Sequence, residues 1–464
     1  MAVLFTLEFI LSFCVFFTLY WMVSPCVKLQ NILLLSGGYI FIWLVSGYSL
    51  FVLILWSSII WLFIRIMMIT ENRKKYAIVL LIAAVFWLFI FKFLGPVTDW
   101  IRELCAAHIV YAVPVVNILL PLGLSFYIFN SVSLILMAAR NESQQIDIIT
   151  VFLYLSFIPT FIAGPVNRAS TLIPQFMVTE RRIINLKKAI ILVTLAIIKL
   201  FLPVSLIGDR LVDPVFNLPE NKSSWDILIA VYGYAWVIYL NFSGYTNLVT
   251  GIAMLLGFRV PDNFNHPYLA ATLRDFWRRW HISLSDFIKD YIYKPLGGGR
   301  TCFFRVQLNV MVAMIISGIW HGAGFNFLLW GGIHGAGMVI YNVWSRFSKD
   351  RIHFPVIFSR LLTFHYVCLA WIFFRTRNIE DAHIMLRKIL SCNISDITSG
   401  QLIVIFMFVS VVIIYPWIVD VTRRLGEIVM SIKWYAFPVM LIPLLTVTFY
   451  FSPSGMPEFI YAAF

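Results

Sequence analysis

The run Val306-Gln-Leu-Asn-Val-Met-Val-Ala-Met-Ile-Ile-Ser-Gly-Ile-Trp-His321-Gly-Ala-Gly324 is apolar almost to its end and then closes on an imidazole set among small residues. A segment of this composition reads as a membrane helix, because hydrocarbon offers no water to a backbone that is not hydrogen-bonded to itself. A histidine in such a place is costly without a partner or a purpose. A second histidine, His281, ends the segment Asp275-Phe-Trp-Arg-Arg-Trp-His281, 40 residues upstream. The next apolar run, 325–344, carries Gly331-Gly-Ile-His334-Gly335. Two histidines bracketing one membrane segment point to reaction chemistry within the bilayer.

Outward from this stretch the same texture covers the chain. Of its 464 residues 61% are hydrophobic and 12% charged, with a mean hydropathy of +0.89. A soluble chain is about half apolar and a quarter charged, so the fold class is all-α and the protein a polytopic integral membrane protein. Apolar stretches fall near 2–22, 31–46, 48–70, 76–95, 109–138, 147–166, 189–208, 225–257, 306–320, 325–344, 355–375, 401–419 and 434–452. They give roughly 11–13 membrane segments. Proline and glycine interrupt several of them, at Val113-Pro114, Leu120-Pro-Leu-Gly123 and Ala163-Gly-Pro165. Re-entrant segments are therefore expected, since non-helical backbone at membrane depth survives only inside protein or beside a wet cavity.

Lys plus Arg number 35 against 22 Asp plus Glu, a net charge of +13. The basic residues cluster in short loops: Arg73 to Lys75, Arg181-Arg182 with Lys187-Lys188, Arg274 to Arg305, Arg346 to Arg351 and Arg423-Arg424. The positive-inside rule puts these loops in the cytoplasm and explains the basic balance without nucleic acid, for which no binding module is present. Membrane lipids are the expected surroundings. The N-terminus carries Glu8, no basic n-region and no small-residue cleavage site, and reads as a retained helix. Six scattered cysteines lack metal or redox spacing; most are expected to be small buried hydrophobes without a structural disulfide.

No repeat or low-complexity linker divides the chain, so residues 1–464 read as a single integral domain. The longest interruption of the apolar pattern, 259–305, is rich in charge and aromatics. There Trp277, Trp280, Leu284, Phe287, Ile288 and Tyr291 share one helical face, and Arg279, Ser285, Asp286, Lys289 and Asp290 take the other. An amphipathic interfacial helix is expected, with His281 at the edge of its apolar face, an Asp275–Arg279 pair at i,i+4, and an end at Gly297-Gly-Gly299.

His321 is the first candidate for catalysis. Imidazole titrates near neutrality, takes a proton from a hydroxyl and returns one to a leaving thiol. Gly322, Ala323 and Gly324 beside it would let a substrate approach the backbone. His281 is the second candidate, as a helper of His321 or, with Arg278 and Arg279, a holder of donor phosphates. Trp320, Asn326 and His334 join Arg278 and Arg279 as candidate substrate- or donor-binding residues. Asn326 and the Gly322–Gly324 backbone are candidate oxyanion donors, and His334 alternatively packs its helix. His108, His266, His353, His365 and His383 have no such context and read as structural. Gly297–Gly299 reads as a turn before a phosphate cradle. No P-loop, G-x-S-x-G, H-E-x-x-H or dinucleotide fingerprint occurs, and no set with metal-ligand spacing surrounds either histidine, so no metal is expected.

The segments Pro121-Leu-Gly-Leu-Ser-Phe-Tyr127, Phe161-Ile-Ala-Gly-Pro165, Phe242-Ser-Gly-Tyr245, Asp275 to Ser285, Asp290-Tyr-Ile-Tyr293 with Pro295-Leu-Gly-Gly298, and Gly318 to Ala323 with Trp330-Gly and His334-Gly335 resemble the membrane-bound O-acyltransferase family. More narrowly they resemble its bacterial branch that acetylates alginate, peptidoglycan and other exported glycans. The likeness runs in order from the first helix to about residue 345; the last 120 or so residues share only its hydropathy.

The resemblance implies a helical ring around a central funnel in the bacterial cytoplasmic membrane. His321 would stand at the family's invariant histidine and His281 at its second, more variable polar position. It also implies acetyl-CoA as the donor substrate with no permanently bound cofactor, and an extracytoplasmic glycan or a periplasmic acetyltransferase as partner. Asn241 and Asn247 depart from the branch's D-F-S-G-Y-S-D pattern, removing two acids. Two other readings stand beside acetyl transfer: D-alanyl transfer to teichoic acid, and a transporter or flippase, which predicts pseudo-symmetric halves that the sequence lacks.

Overall fold

The computed structural model describes residues 7–106, 118–140, 146–348, 354–433 and 435–453. His108, His353 and the Val113-Pro114 interruption lie outside the described residues. Those described are helices joined by turns, and eight helices are long and apolar enough to cross a membrane: Val27–Val45, Gly47–Ile69, Arg73–Lys92, Leu186–Phe216, Ser224–Leu255, Phe303–His321, Val356–Arg375 and Ser399–Ser431. Shorter apolar helices span Glu8–Met22, Leu124–Ala139 and Phe437–Phe451. The all-α, polytopic architecture expected from hydropathy is what the chain adopts. The contacts divide it into two compact units, Met1–Ala189 with Val249–Pro261, and Ile190–Leu248 with Asp262–Phe464.

In the first unit, side-chain caps and a glycine set the turns. Ser46 ends one helix and caps the next, its hydroxyl accepting from Ser49 N at 3.2 Å. Asp147 caps Ile148–Leu155 through Thr150 N at 2.9 Å. Gly123 stands at φ 73°, and a Cβ there would lie 2.7 Å from the Phe161 carbonyl oxygen, so both the dihedral and the space demand glycine. The interruptions at 120–123 and 163–165 are indeed non-helical. Arg181 differs from the expected loop cation. It is buried, donating to Tyr20 Oη, Asn31 Oδ1 and Gln175 O, each at 3.0 Å, with its guanidinium 4.4 Å from the Phe258 ring centre. Its neighbour Arg182 is exposed and pairs with Glu180 at 2.8 Å.

In the second unit, the helical hairpin Phe303–His321 and Phe325–Ser348 is closed by glycines. A Cβ on Gly318 would sit 2.2 Å from Phe327 O, one on Gly331 2.5 Å from Met314 O, and one on Gly335 2.7 Å from Met311 Sδ. Small residues at such positions let two backbones approach where lipid supplies no hydrophobic drive. Val356–Arg375 and Leu273–Arg279 pack on the hairpin, and Trp236, Trp280, Trp330, Trp371 and Phe374 share one buried cluster.

Two sequence expectations are corrected. The amphipathic helix proposed through 277–291 is broken: Leu273–Arg279 ends at Trp280, His281 takes φ 41°, and Ile282–Ile288 starts afresh before a π turn at Lys289–Tyr293. A left-handed non-glycine residue costs about 1–2 kcal/mol, so tertiary bonds at the break must outweigh helical continuity. Of the five cysteines whose side chains are described, only Cys368 is buried: Cys14, Cys26 and Cys302 are exposed and Cys392 is half-buried. Cys26 and Cys302 stand just before helix starts, where a small, weakly polar thiol is tolerated in the open.

Candidate active site

His321 is the last residue of its helix and is 3% exposed. Its ring is walled by Trp320 at 4.6 Å, Trp330 at 4.9 Å in an edge-on arrangement, Phe374 at 5.1 Å and Phe327 at 6.5 Å between centroids. The break at His281 turns that residue's ring inward as well. It meets Phe242 edge-on at 4.6 Å and Trp320 at 6.5 Å, and its Nδ1 lies 3.2 Å from Asn263 Oδ1. Trp320 therefore touches both histidines. His281 lies outside the candidate membrane helices, and burial pushes its pKa from 6.5 down to about 3. Its imidazole is neutral across the physiological range.

His334 is fully buried, between Trp330 at 4.9 Å, Trp277 at 5.1 Å and Phe276 stacked at 6.2 Å. Neither ring nitrogen has a hydrogen-bond partner among the described residues. Trp330 thus joins His321 to His334. The structure brings His281, Trp320, His321 and His334 into one aromatic-walled chain of contacts.

It does not bring the arginines there. Arg278 is exposed, and Arg279 is bound to Asp275 at 2.9 Å and to Asn265 O at 3.2 Å, the expected pair with an added backbone anchor. Asn326 gives its amide nitrogen to Thr376 O at 2.9 Å and Oγ1 at 3.3 Å, tying the start of its helix to the end of Val356–Arg375. Gly322 makes room for Phe327, whose ring a Cβ would meet at 2.2 Å, rather than for a ligand. Ala323 and Gly324 are exposed. His365 bonds Leu361 O of its own helix at 2.7 Å.

Three features escaped the sequence reading. Asn263 carried no motif signal, being 18 positions from His281. Ser317 lies one turn before His321, and its buried hydroxyl has no hydrogen-bond partner among the described residues; the i,i+4 spacing was the available clue. Lys199, within a membrane helix, donates to Ser243 Oγ at 3.1 Å. With its amide turned to satisfy both ends, Asn247 accepts from the same ammonium at 3.1 Å and donates to Ser243 O at 3.2 Å. One of the two departures from the acidic pattern is therefore a lysine partner rather than a proton donor.

A buried imidazole pair beside aromatic rings is suited to proton transfer shielded from water. The model of the membrane-bound O-acyltransferase family matches residues 35–380, a range that holds all these groups. The chain belongs to that family. The chain is 36% identical over 245 residues to the peptidoglycan O-acetyltransferase of Helicobacter pylori, a match covering 52% of this chain and 46% of that protein. It is 30% identical over 384 residues to the probable alginate O-acetylase AlgI of Pseudomonas aeruginosa, covering 81% of this chain and 72% of the other. It is 28% identical over 288 residues to the teichoic acid D-alanyltransferase of Bacillus subtilis, covering 58% and 71%. The chain thus spans about half the length of the Helicobacter relative. Its helix Ser399–Ser431 lies beyond the matched range.

Proposed function

We propose that this acyltransferase moves an acetyl group from a cytoplasmic thioester, acetyl-CoA, toward hydroxyls of a cell-envelope or exported polysaccharide, directly or by way of a periplasmic transferase, in the cytoplasmic membrane of a bacterium. The observation that carries the reading is the buried pair His321 and His281 sharing Trp320. The kinds of relative matched, two of them O-acetylating proteins by name, support the acetyl group and the polymeric acceptor.

A thioester carbonyl is already activated, so the protein must supply a base, oxyanion donors and exclusion of water. In this reading His321 removes the proton as the acceptor oxygen attacks the carbonyl carbon. The tetrahedral oxyanion is met by backbone N–H groups that open the Phe325–Ser348 helix, where the first turn lacks intrahelical acceptors. The carbon–sulfur bond then breaks and His321 returns the proton to the departing thiolate, leaving an ester and a free thiol. His281, neutral, orients a hydrogen bond rather than storing charge. Trp320, Trp330 and Phe374 keep water from the donor.

The test compares ester-linked groups on purified envelope glycans from a deletion strain rescued with wild type, His321→Ala or His281→Ala at matched membrane levels. Acetate is expected to vanish from one glycan and to return only with wild type, His321→Ala losing at least about 100-fold. Full rescue by His321→Ala would sink the mechanism. D-alanine esters in place of acetate would move the acceptor and donor to the teichoic acid class.

A further inference from the structure

Asn263 is 1% exposed, and three groups converge on its side-chain oxygen: Ser283 Oγ at 2.6 Å, His281 Nδ1 at 3.2 Å and Ser283 N at 3.3 Å. Its main-chain oxygen accepts from Ile282 N at 3.0 Å. One residue thereby holds the backbone or side chain of three successive positions, at the point where the chain adopts the left-handed conformation of His281.

The orientation of the Asn263 amide follows from this. A backbone N–H can only donate, so the atom facing Ser283 N is the oxygen and not the amide nitrogen. An oxygen in turn only accepts, so the ring nitrogen facing it, Nδ1, carries the hydrogen. In a neutral imidazole the lone pair is then on Nε2. Phe242 and Trp320, whose rings pack on the imidazole, are uncharged, as are Asn263 and Ser283, so none of these four favours the charged ring.

We propose that Asn263 is a positioning residue that locks His281 in the Nδ1–H tautomer and so makes Nε2 the atom that accepts the hydrogen bond of the reacting hydroxyl or thiol. The inference rests on the reading of His281 as part of the reaction centre, and the two are separable. Second-partner hydrogen bonds set the tautomer and aim of catalytic imidazoles, and their loss costs turnover more than binding. Ser283 supports the same oxygen, so its hydroxyl holds the holder.

Two measurements on the full chain test this. In detergent-solubilised protein labelled with nitrogen-15 histidine, the resonances lost in His281→Gln are expected to show a protonated Nδ1 and an unprotonated Nε2. Asn263→Asp should keep that signature and Asn263→Leu should lose it. In membranes of the rescued deletion strain supplied with radiolabelled acetyl-CoA, Asn263→Leu is expected to lower kcat for acetate incorporation about 100-fold or more with KM for acetyl-CoA nearly unchanged. Asn263→Asp should restore much of the rate and move the acid limb of the rate profile to higher pH, because a carboxylate beside Nδ1 favours the charged ring. A wild-type Nδ1–H signature in Asn263→Leu, or a wild-type rate and pH profile in both variants, overturns the proposal. Full activity in His281→Gln would instead remove the reading beneath it, while the resonance arm would still decide the tautomer.

Discussion

Buried polar groups are held in different ways around Arg181 in the first unit and around the imidazoles of the second. In the first, Arg181 is met by three oxygen acceptors and an aromatic face, and Tyr20, which receives one of its bonds, itself donates to Leu256 O at 2.8 Å. In the second, imidazoles lie edge-on against indole and phenyl rings, and His334 has no hydrogen bond at either nitrogen among the described residues. Polar burial against several acceptors fixes a scaffold, whereas polar burial among rings leaves chemistry available. The difference separates structural cations from candidate catalysts that sequence alone treats alike.

The comparison is most strongly tested at the glycine-closed hairpin that presents His321. Gly318→Ala places a methyl against the Phe327 carbonyl, and its expected cost is about 3 kcal/mol, the upper range for overpacking against unyielding backbone. Gly332→Ala, on the same hairpin with open space at its Cβ, should instead be neutral or stabilising by up to about 1 kcal/mol. Thermal unfolding of the purified pair reads both, and equal losses would deny that the glycines act by close approach.

Next in size, Arg181→Met should destabilise the first unit by about 2–3 kcal/mol, since it strips charged hydrogen bonds from buried Tyr20 and Asn31. Arg182→Met, exposed, should stay within about 0.5 kcal/mol. An equal effect of the two substitutions on melting temperature would erase the distinction between staple and surface cation.

A smaller effect follows from His281, whose folded pKa is depressed to about 3 from 6.5. Between those values the unfolded chain binds more protons than the folded one. The group's contribution to stability is thus present above pH 6.5 and lost as pH falls toward 3, at no more than about 1.4 kcal/mol per pH unit. Unfolding midpoints measured from pH 7 to 5 should fall more steeply for wild type than for His281→Gln. Parallel curves would mean that the ring is hydrated rather than walled by Phe242 and Trp320.

Smallest of all, Asp275→Ala should cost about 0.5 kcal/mol or less, because the Arg279 pair is half-exposed and screened. A several-fold loss of acetate incorporation at unchanged stability would show that the arginines serve the donor after all.

The sequence by itself determined what depends on local composition. Hydropathy specifies helices and membrane residence, glycine and proline specify the breaks at Gly123 and Gly164 and the turn at Gly297–Gly298, and four-residue spacing specifies the Asp275–Arg279 pair. The motif around His321 also marked the family. Tertiary structure alone decided which polar groups found partners. Arg181 meets Tyr20 across 161 positions and Asn263 meets His281 across 18, and no periodicity encodes such meetings. The same holds for the kink at His281: helical pattern favoured continuity there, and long-range hydrogen bonds to Asn263 outweighed the cost of a left-handed residue. Local propensity is worth tenths of a kcal/mol to about 1 kcal/mol per residue, so a few buried bonds from a distant segment suffice to override it.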